Sequence, residues 1–196
     1  MSTPTFKALC LGMILTLGGC QVALLPLGGS TGITESITLQ GGMTITAPDG
    51  YCVDPTATQG TFTASAVTMF SCARLNDATA DDPTEGRMFT ATATEGTISN
   101  QTAFARYLKT DAGKALLSSG ADVTVHQTRT TRVATYIDYS DETLPVHLGQ
   151  RVWRAFVNTG NGLAVLTLYS GQGDPISGSN GEGLIRAFAA QTVNAN

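Results

Sequence analysis

Arg151-Val152-Trp153-Arg154-Ala155-Phe156-Val157, then Asn158-Thr159-Gly160-Asn161-Gly162, then Leu163-Ala164-Val165-Leu166-Thr167-Leu168-Tyr169, is the stretch that decides the fold. Two runs rich in β-branched, aromatic and apolar residues flank a cluster of Asn and Gly, which predicts a β-hairpin. Alternation puts Arg151 and Trp153 on one face of the first strand and Arg154 on the other. In the second strand Leu163 to Leu168 is apolar on both faces, so a central strand covered on both sides is expected. Such a sheet needs covering layers.

Upstream, Ile37 to Leu39 and Met43 to Thr46 alternate around Gly41-Gly42, a break that suits a tight turn. Pro48-Asp49-Gly50 is a turn before Tyr51-Cys52-Val53, and Gly60 to Cys72, rich in Thr and aromatics, predicts a long strand. Met88 to Thr94 predicts another strand. Ser99 is placed to cap a helix in which Phe104, Leu108, Ala112, Ala115 and Leu116 share a face, with a restart near Thr110 and an end at Gly120. Val123 to Arg132 and Val133 to Tyr139 read as consecutive strands. A Gly, Ser and Asn-rich loop over 171–183 precedes a short closing helix with Leu184, Ile185 and Phe188 on one face.

The N-terminus carries a different signal. Lys7 is followed by an apolar run from Ala8 to Leu17, broken only by Gly12 and Thr16, which is the pattern of an export leader. Leu17-Gly18-Gly19-Cys20 then resembles the lipobox of bacterial lipoproteins. The resemblance implies that residues 1–19 are removed, that the Cys20 thiol carries lipid, and that several acyl chains fasten the protein to the membrane. It also favours a periplasm-facing site on the outer membrane, because Gln21 stands where an aspartate would retain a lipoprotein at the inner membrane. The other reading is an uncleaved signal anchor, since apolar character runs on through Val22 to Leu27. Pro26 opposes that, at about 3 kcal/mol inside a regular helix, as do Gly18 and Gly19 at about 1 kcal/mol each. Residues 20–36 then read as a flexible tether and 37–196 as one α+β domain.

Within this resemblance Cys10 lies in the leader and Cys20 takes the lipid. Cys52 and Cys72 remain, in a compartment that favours disulfides, and are expected to pair. A redox centre is the alternative, but the two lack Cys-x-x-Cys spacing.

The order of strands, helix, antiparallel strands and helix resembles the PsbP-like fold. That resemblance implies a curved antiparallel sheet flanked by two helices; a β-sandwich is the rival arrangement, opposed by the two predicted helices. It carries little about activity, because fold does not imply function.

The composition narrows the function classes. The chain has 11 Lys+Arg against 15 Asp+Glu and a pI near 5.0, the wrong sign for a nucleic-acid partner. Ser177-Gly178-Ser179-Asn180-Gly181 has serine where a nucleophile elbow needs its first glycine. His126 and His147 lack the spacing of a zinc site. The acidic loop from Asn76 to Glu85 misses the EF-hand pattern, with Asp82 at the turn-glycine position and Met88 at the bidentate-glutamate position; a solvated loop is the other reading. No metal or cofactor is expected, and no catalytic residue.

Charge is divided along the chain. Residues 20–105 carry two cations and eight acids, whereas 106–154 carry seven cations and five acids. Arg129, Arg132, Arg151 and Arg154 are therefore candidate binding residues, since arginine holds carboxylates and phosphates bidentately; ordinary solvated cross-strand pairs are the alternative. Together these features point to a non-catalytic envelope lipoprotein that binds a protein or other envelope component. A carrier of a small lipophilic ligand is the second expectation, and an unfamiliar enzyme the third.

Overall fold

The computed structural model describes residues 32–39, 41–54, 56, 66–79, 86–118, 122–174, 176 and 178–196. The leader, Cys20, residues 21–31 of the tether, the start of the long strand at Gly60, the acidic residues Asp81, Asp82 and Glu85, and the expected helix end at Gly120 lie outside them.

The hairpin read first from the sequence is the centre of the molecule. Strands β8 (Leu148–Thr159) and β9 (Gly162–Gly171) are joined at Gly160-Asn161, with Trp153 opposite Leu168 and Phe156 opposite Val165. Around them β3 (Tyr51–Val53), β4 (Ala66–Ser71), β5 (Met88–Thr94), β6 (Val123–Thr130) and β7 (Ala134–Asp141) complete an open sheet of seven strands. Its order is β3-β4-β5-β9-β8-β7-β6, every pair is antiparallel, and β9 is the middle strand.

Both faces are covered, as the two-sided apolar character of β9 requires. On one face Trp153, Ala155, Leu166 and Leu168 pack with Ile185 and Phe188 of α4 (Gly178–Asn194). The same layer takes Leu39, Met43 and Ile45 from a separate hairpin of β1 (Ser36–Thr38) and β2 (Thr44–Thr46). On the other face Val152, Phe156, Ile137 and Tyr139 pack with Leu108 and Leu117. These come from α2 (Gln101–Tyr107), α3 (Asp111–Lys114) and the turns that follow each. Edge-to-face ring pairs lock each layer: Phe89 with Phe188 at 5.3 Å and Phe104 with Phe156 at 4.9 Å between centroids.

The α+β class and the flanked antiparallel sheet stand; the single open main sheet is not a sandwich. There are four helices among the described residues instead of two. A short α1 (Cys72–Asn76) follows β4 directly, its C-terminal end tied by the Asn76 amide to the Cys72 carbonyl at 2.8 Å. The long helix expected from Ser99 begins at Gln101 and is capped by Asn100, whose side chain accepts from the Ala103 amide at 2.8 Å. It divides at Thr110. That hydroxyl donates to the Tyr107 carbonyl and accepts from the Gly113 amide, closing α2 and capping α3 at once.

The last correction is α4, which begins within the Gly-rich stretch read as loop. Gly181 is there for close packing: a Cβ would lie 2.2 Å from the Trp153 Nε1. The indole donates past it to the Ile176 carbonyl at 3.2 Å. Propensity argued against a helix here, and burial against Trp153 overrides it.

Cys52 and Cys72 form the expected disulfide, with Cα atoms 4.9 Å apart and a sequence separation of 20. It ties β3 to the first residue of α1 at the sheet edge opposite β6. A Cys52→Ala/Cys72→Ala variant should lose roughly 3 kcal/mol of unfolding free energy. Urea denaturation checks this, and an unchanged midpoint would count against a stabilising cross-link.

Candidate functional site

The four arginines picked out by the sequence have unlike surroundings. Asp138 stands in β7 opposite Trp153, on the face covered by α4, and is 1% exposed. A carboxylate in that position requires a cation, and Arg151 supplies it: Nε donates to Oδ1 at 2.8 Å while NH2 donates to Oδ2. Hydrogen bonding to Asp138 holds the guanidinium pKa above its ordinary value, against the opposing effect of burial.

Arg154 points into the other layer, as alternation requires. Its Nε donates to the Thr167 hydroxyl at 3.0 Å, and NH1 reaches the Leu116 and Leu117 carbonyls at 3.1 and 3.0 Å. Its guanidinium lies over the Tyr139 ring at 5.5 Å. Burial pushes the Tyr139 phenol well above its ordinary range, with Arg154 opposing. Arg154 thus satisfies carbonyls left open after α3 and fastens that end to the sheet.

Arg129 and Arg132 are exposed, and neither has an ion-pair partner among the described residues. Arg129 lies opposite Tyr136, so it shares the α4 face with Asp138. Arg151 shares that face and Arg154 does not, so the four do not make one patch.

Sequence reasoning missed the polar row between α4 and the edge of the sheet. Gln127 donates to Glu182 at 3.1 Å, Glu182 accepts from Arg186 at 2.9 Å, and Arg186 covers the Tyr136 ring at 5.2 Å. Burial raises the Tyr136 phenol pKa, with Arg186 opposing and Glu182 reinforcing. The available signal was Asp138 itself, a carboxylate in alternation with Ala134 and Tyr136 on an otherwise apolar face.

His126 sits at a bulge in β6 and its Nε2 lies 2.7 Å from the Ser140 Oγ. A serine nucleophile with a histidine base also needs a group that orients the imidazole. Among the described residues no carboxylate is bonded to Nδ1. His147 is exposed, and its carbonyl accepts from the Gln172 amide. Glu35 lies beside Cys52 and Cys72, but the sulfurs are bonded to each other and offer no thiolate to a metal.

Described residues line two cavities at the periphery. One of about 320 Å³ lies beside α1 and is lined in part by Phe70, Ser71, Leu75 and Arg87; the other, about 410 Å³, lies under the β7–β8 loop beside Leu144, Val146 and Leu148. Arg87 is engaged by Asp174 at 2.7 Å. No helix of the described residues is long and apolar enough to cross a membrane. No protein-family model matches the chain, and no curated protein matches it either.

Arg151→Ala, which strands Asp138, should cost about 3 kcal/mol, with Arg151→Lys only a partial remedy. Arg129→Ala and Arg132→Ala should each stay within about 0.5 kcal/mol of wild type. Denaturation midpoints of the four variants test this ordering.

Asp141 is a carboxylate whose surroundings link stability to acid pH. Burial would raise its carboxyl, but the Ser118 hydroxyl, both the hydroxyl and the amide of Thr143, and the charge of Arg154 outweigh that and hold it below the ordinary value. The stabilisation is complete above the unfolded carboxylate range, near pH 4, and disappears as pH falls through the lower folded value. Asp141→Asn keeps the Oδ1 acceptor and loses the charge. It should reduce stability at pH 7 and flatten the decline between pH 5 and pH 2, as followed by urea midpoints.

Proposed function

We propose that this chain is a lipoprotein of the bacterial cell envelope, anchored through Cys20, whose disulfide-bridged α+β domain binds an envelope component near the membrane without catalysing a reaction. The observation that carries the reading is Leu17-Gly18-Gly19-Cys20 at the end of an export leader. The Cys52–Cys72 bond supports it, because such cross-links persist in oxidising compartments outside the cytoplasm. A PsbP-like arrangement is the fold proposed from the order of elements in the sequence, and the outer membrane, facing the periplasm, is the favoured address. An anchored domain meets its neighbours at high local concentration, so a weak contact suffices.

Among the four candidate arginines the roles divide by surroundings. Arg151 and Arg154 hold the domain together, whereas Arg129 and Arg132 are available to a partner. Binding of a partner should therefore respond to Arg129→Ala and Arg132→Ala without loss of fold.

A second reading, carriage of a small lipophilic ligand, draws on the two peripheral cavities, whose size suits small molecules. Copurification of a lipophilic molecule with the domain would favour it.

The anchor has a direct test. Mature protein extracted from membranes should begin at Cys20 and carry acyl mass, and Cys20→Ser should leave the chain unacylated and uncleaved. A membrane-extracted chain that began at Met1 and carried no acyl chains would sink the lipoprotein reading.

A further inference from the structure

The cations without ion-pair partners among the described residues cluster in one part of the chain. Arg106, Lys109, Lys114, Arg129 and Arg132 have no such partner, whereas Arg87, Arg151 and Arg186 are paired and Arg154 is bound to carbonyls. Residues 101–132 hold these five cations and two acids, Asp111 and Asp122, a local charge of +3 in a chain of net charge −4. The remainder of the chain is therefore −7. Arg129 lies on the α4 face of the sheet, so the α2–α3 segment, residues 101–118, carries three of these cations against Asp111, a local charge of +2 that attracts anionic surfaces.

The α2–α3 part of this stretch also exposes apolar surface. Three large hydrophobic residues are exposed among those described, and two of them, Tyr107 at 41% and Leu116 at 52%, lie here with the cations Arg106, Lys109 and Lys114. Tyr107 stacks on Phe104 at 6.3 Å between centroids, which limits its freedom. Gly113 lets α3 close on the end of α2, since a Cβ there would lie 2.0 Å from the Tyr107 carbonyl oxygen. Beyond α3, Arg154 grips the Leu116 and Leu117 carbonyls, so Leu117 is buried while Leu116 stays outside. The exposed pair is thus held in place by buried neighbours.

We infer that the outer face of α2 and α3 docks on an anionic phospholipid surface, with Tyr107 and Leu116 at the headgroup boundary and Arg106, Lys109 and Lys114 against lipid phosphates. An amphipathic tyrosine and basic residues beside apolar side chains are the composition that settles at a membrane interface. Each cation near an anionic membrane strengthens binding roughly fivefold. The inference builds on the anchored reading: a chain fastened at Cys20 is already beside a bilayer.

The full lipidated chain carrying Tyr107→Trp, reconstituted in vesicles containing one-third phosphatidylglycerol and a doxyl-labelled lipid, tests this. Trp153 is fully buried and gives the same background in wild type. The indole introduced at 107 should be quenched well beyond that background. The excess should fall at least threefold in pure phosphatidylcholine, in 0.5 M salt, and in an Arg106→Glu/Lys109→Glu/Lys114→Glu variant, since bound cations and surface charge are what those conditions remove. No excess in the anionic vesicles, or an excess that survives charge reversal, would overturn the inference. The mass of the same sample reports the anchor separately. Lipidated protein without quenching sinks the docking face alone, and quenched protein without acyl chains sinks the anchor alone.

Discussion

Strands β8 and β9 are closed off from water on both sides, by α4 and the β1–β2 hairpin on one face and by α2 and α3 on the other. Most polar side chains in these layers therefore bring a partner with them, although the Ser170 and Thr192 hydroxyls are buried without one among the described residues. That constraint accounts for most of the specific chemistry of the molecule. Asp138 draws in Arg151, Thr167 meets Arg154, and the Thr135 hydroxyl bonds the Gln101 side chain at 2.6 Å where α2 begins. The Thr135–Gln101 pair ties α2 to the sheet, and the two arginine pairs reinforce the β7–β8 and β8–β9 ladders that already fix the strand register.

The central hairpin, its two-sided burial and the disulfide were legible because each rests on a local pattern: alternation, a turn cluster, or a count of cysteines. The start of α4 was not legible, since Gly178 to Gly181 has the composition of a loop. The reason for helix there is the indole of Trp153, a residue 28 positions earlier. α1 was hidden for a similar reason. Its five residues follow a strand without a break, and only the Asn76 bond to the Cys72 carbonyl marks the turn of helix. The split at Thr110 was visible because one threonine followed by aspartate can cap a helix locally.

The arginines show where sequence stops being informative about a site. Alternation correctly separates Arg151 from Arg154, but nothing local tells a cation that holds a buried carboxylate from one that faces solvent. That difference depends on Asp138, in another strand. Seven of the chain's cations lie between 106 and 154; the structure divides them into two that hold the sheet and its helices together and five that remain outside ion pairs. The enrichment is visible in the sequence, and three-dimensional pairing sorts it.

Asn196 closes the fold from a great distance. Its side chain accepts from the Thr44 amide and donates to the Thr44 carbonyl, 152 residues away, and it also accepts from Asn161 at the tip of the central hairpin. The β1–β2 pair, near the beginning of the domain, is thus clamped by the residue furthest from it in sequence. Two strands alone are marginal in water, so the burial of Met43 and Ile45 depends on this clamp and on α4 as much as on the pairing of β1 with β2.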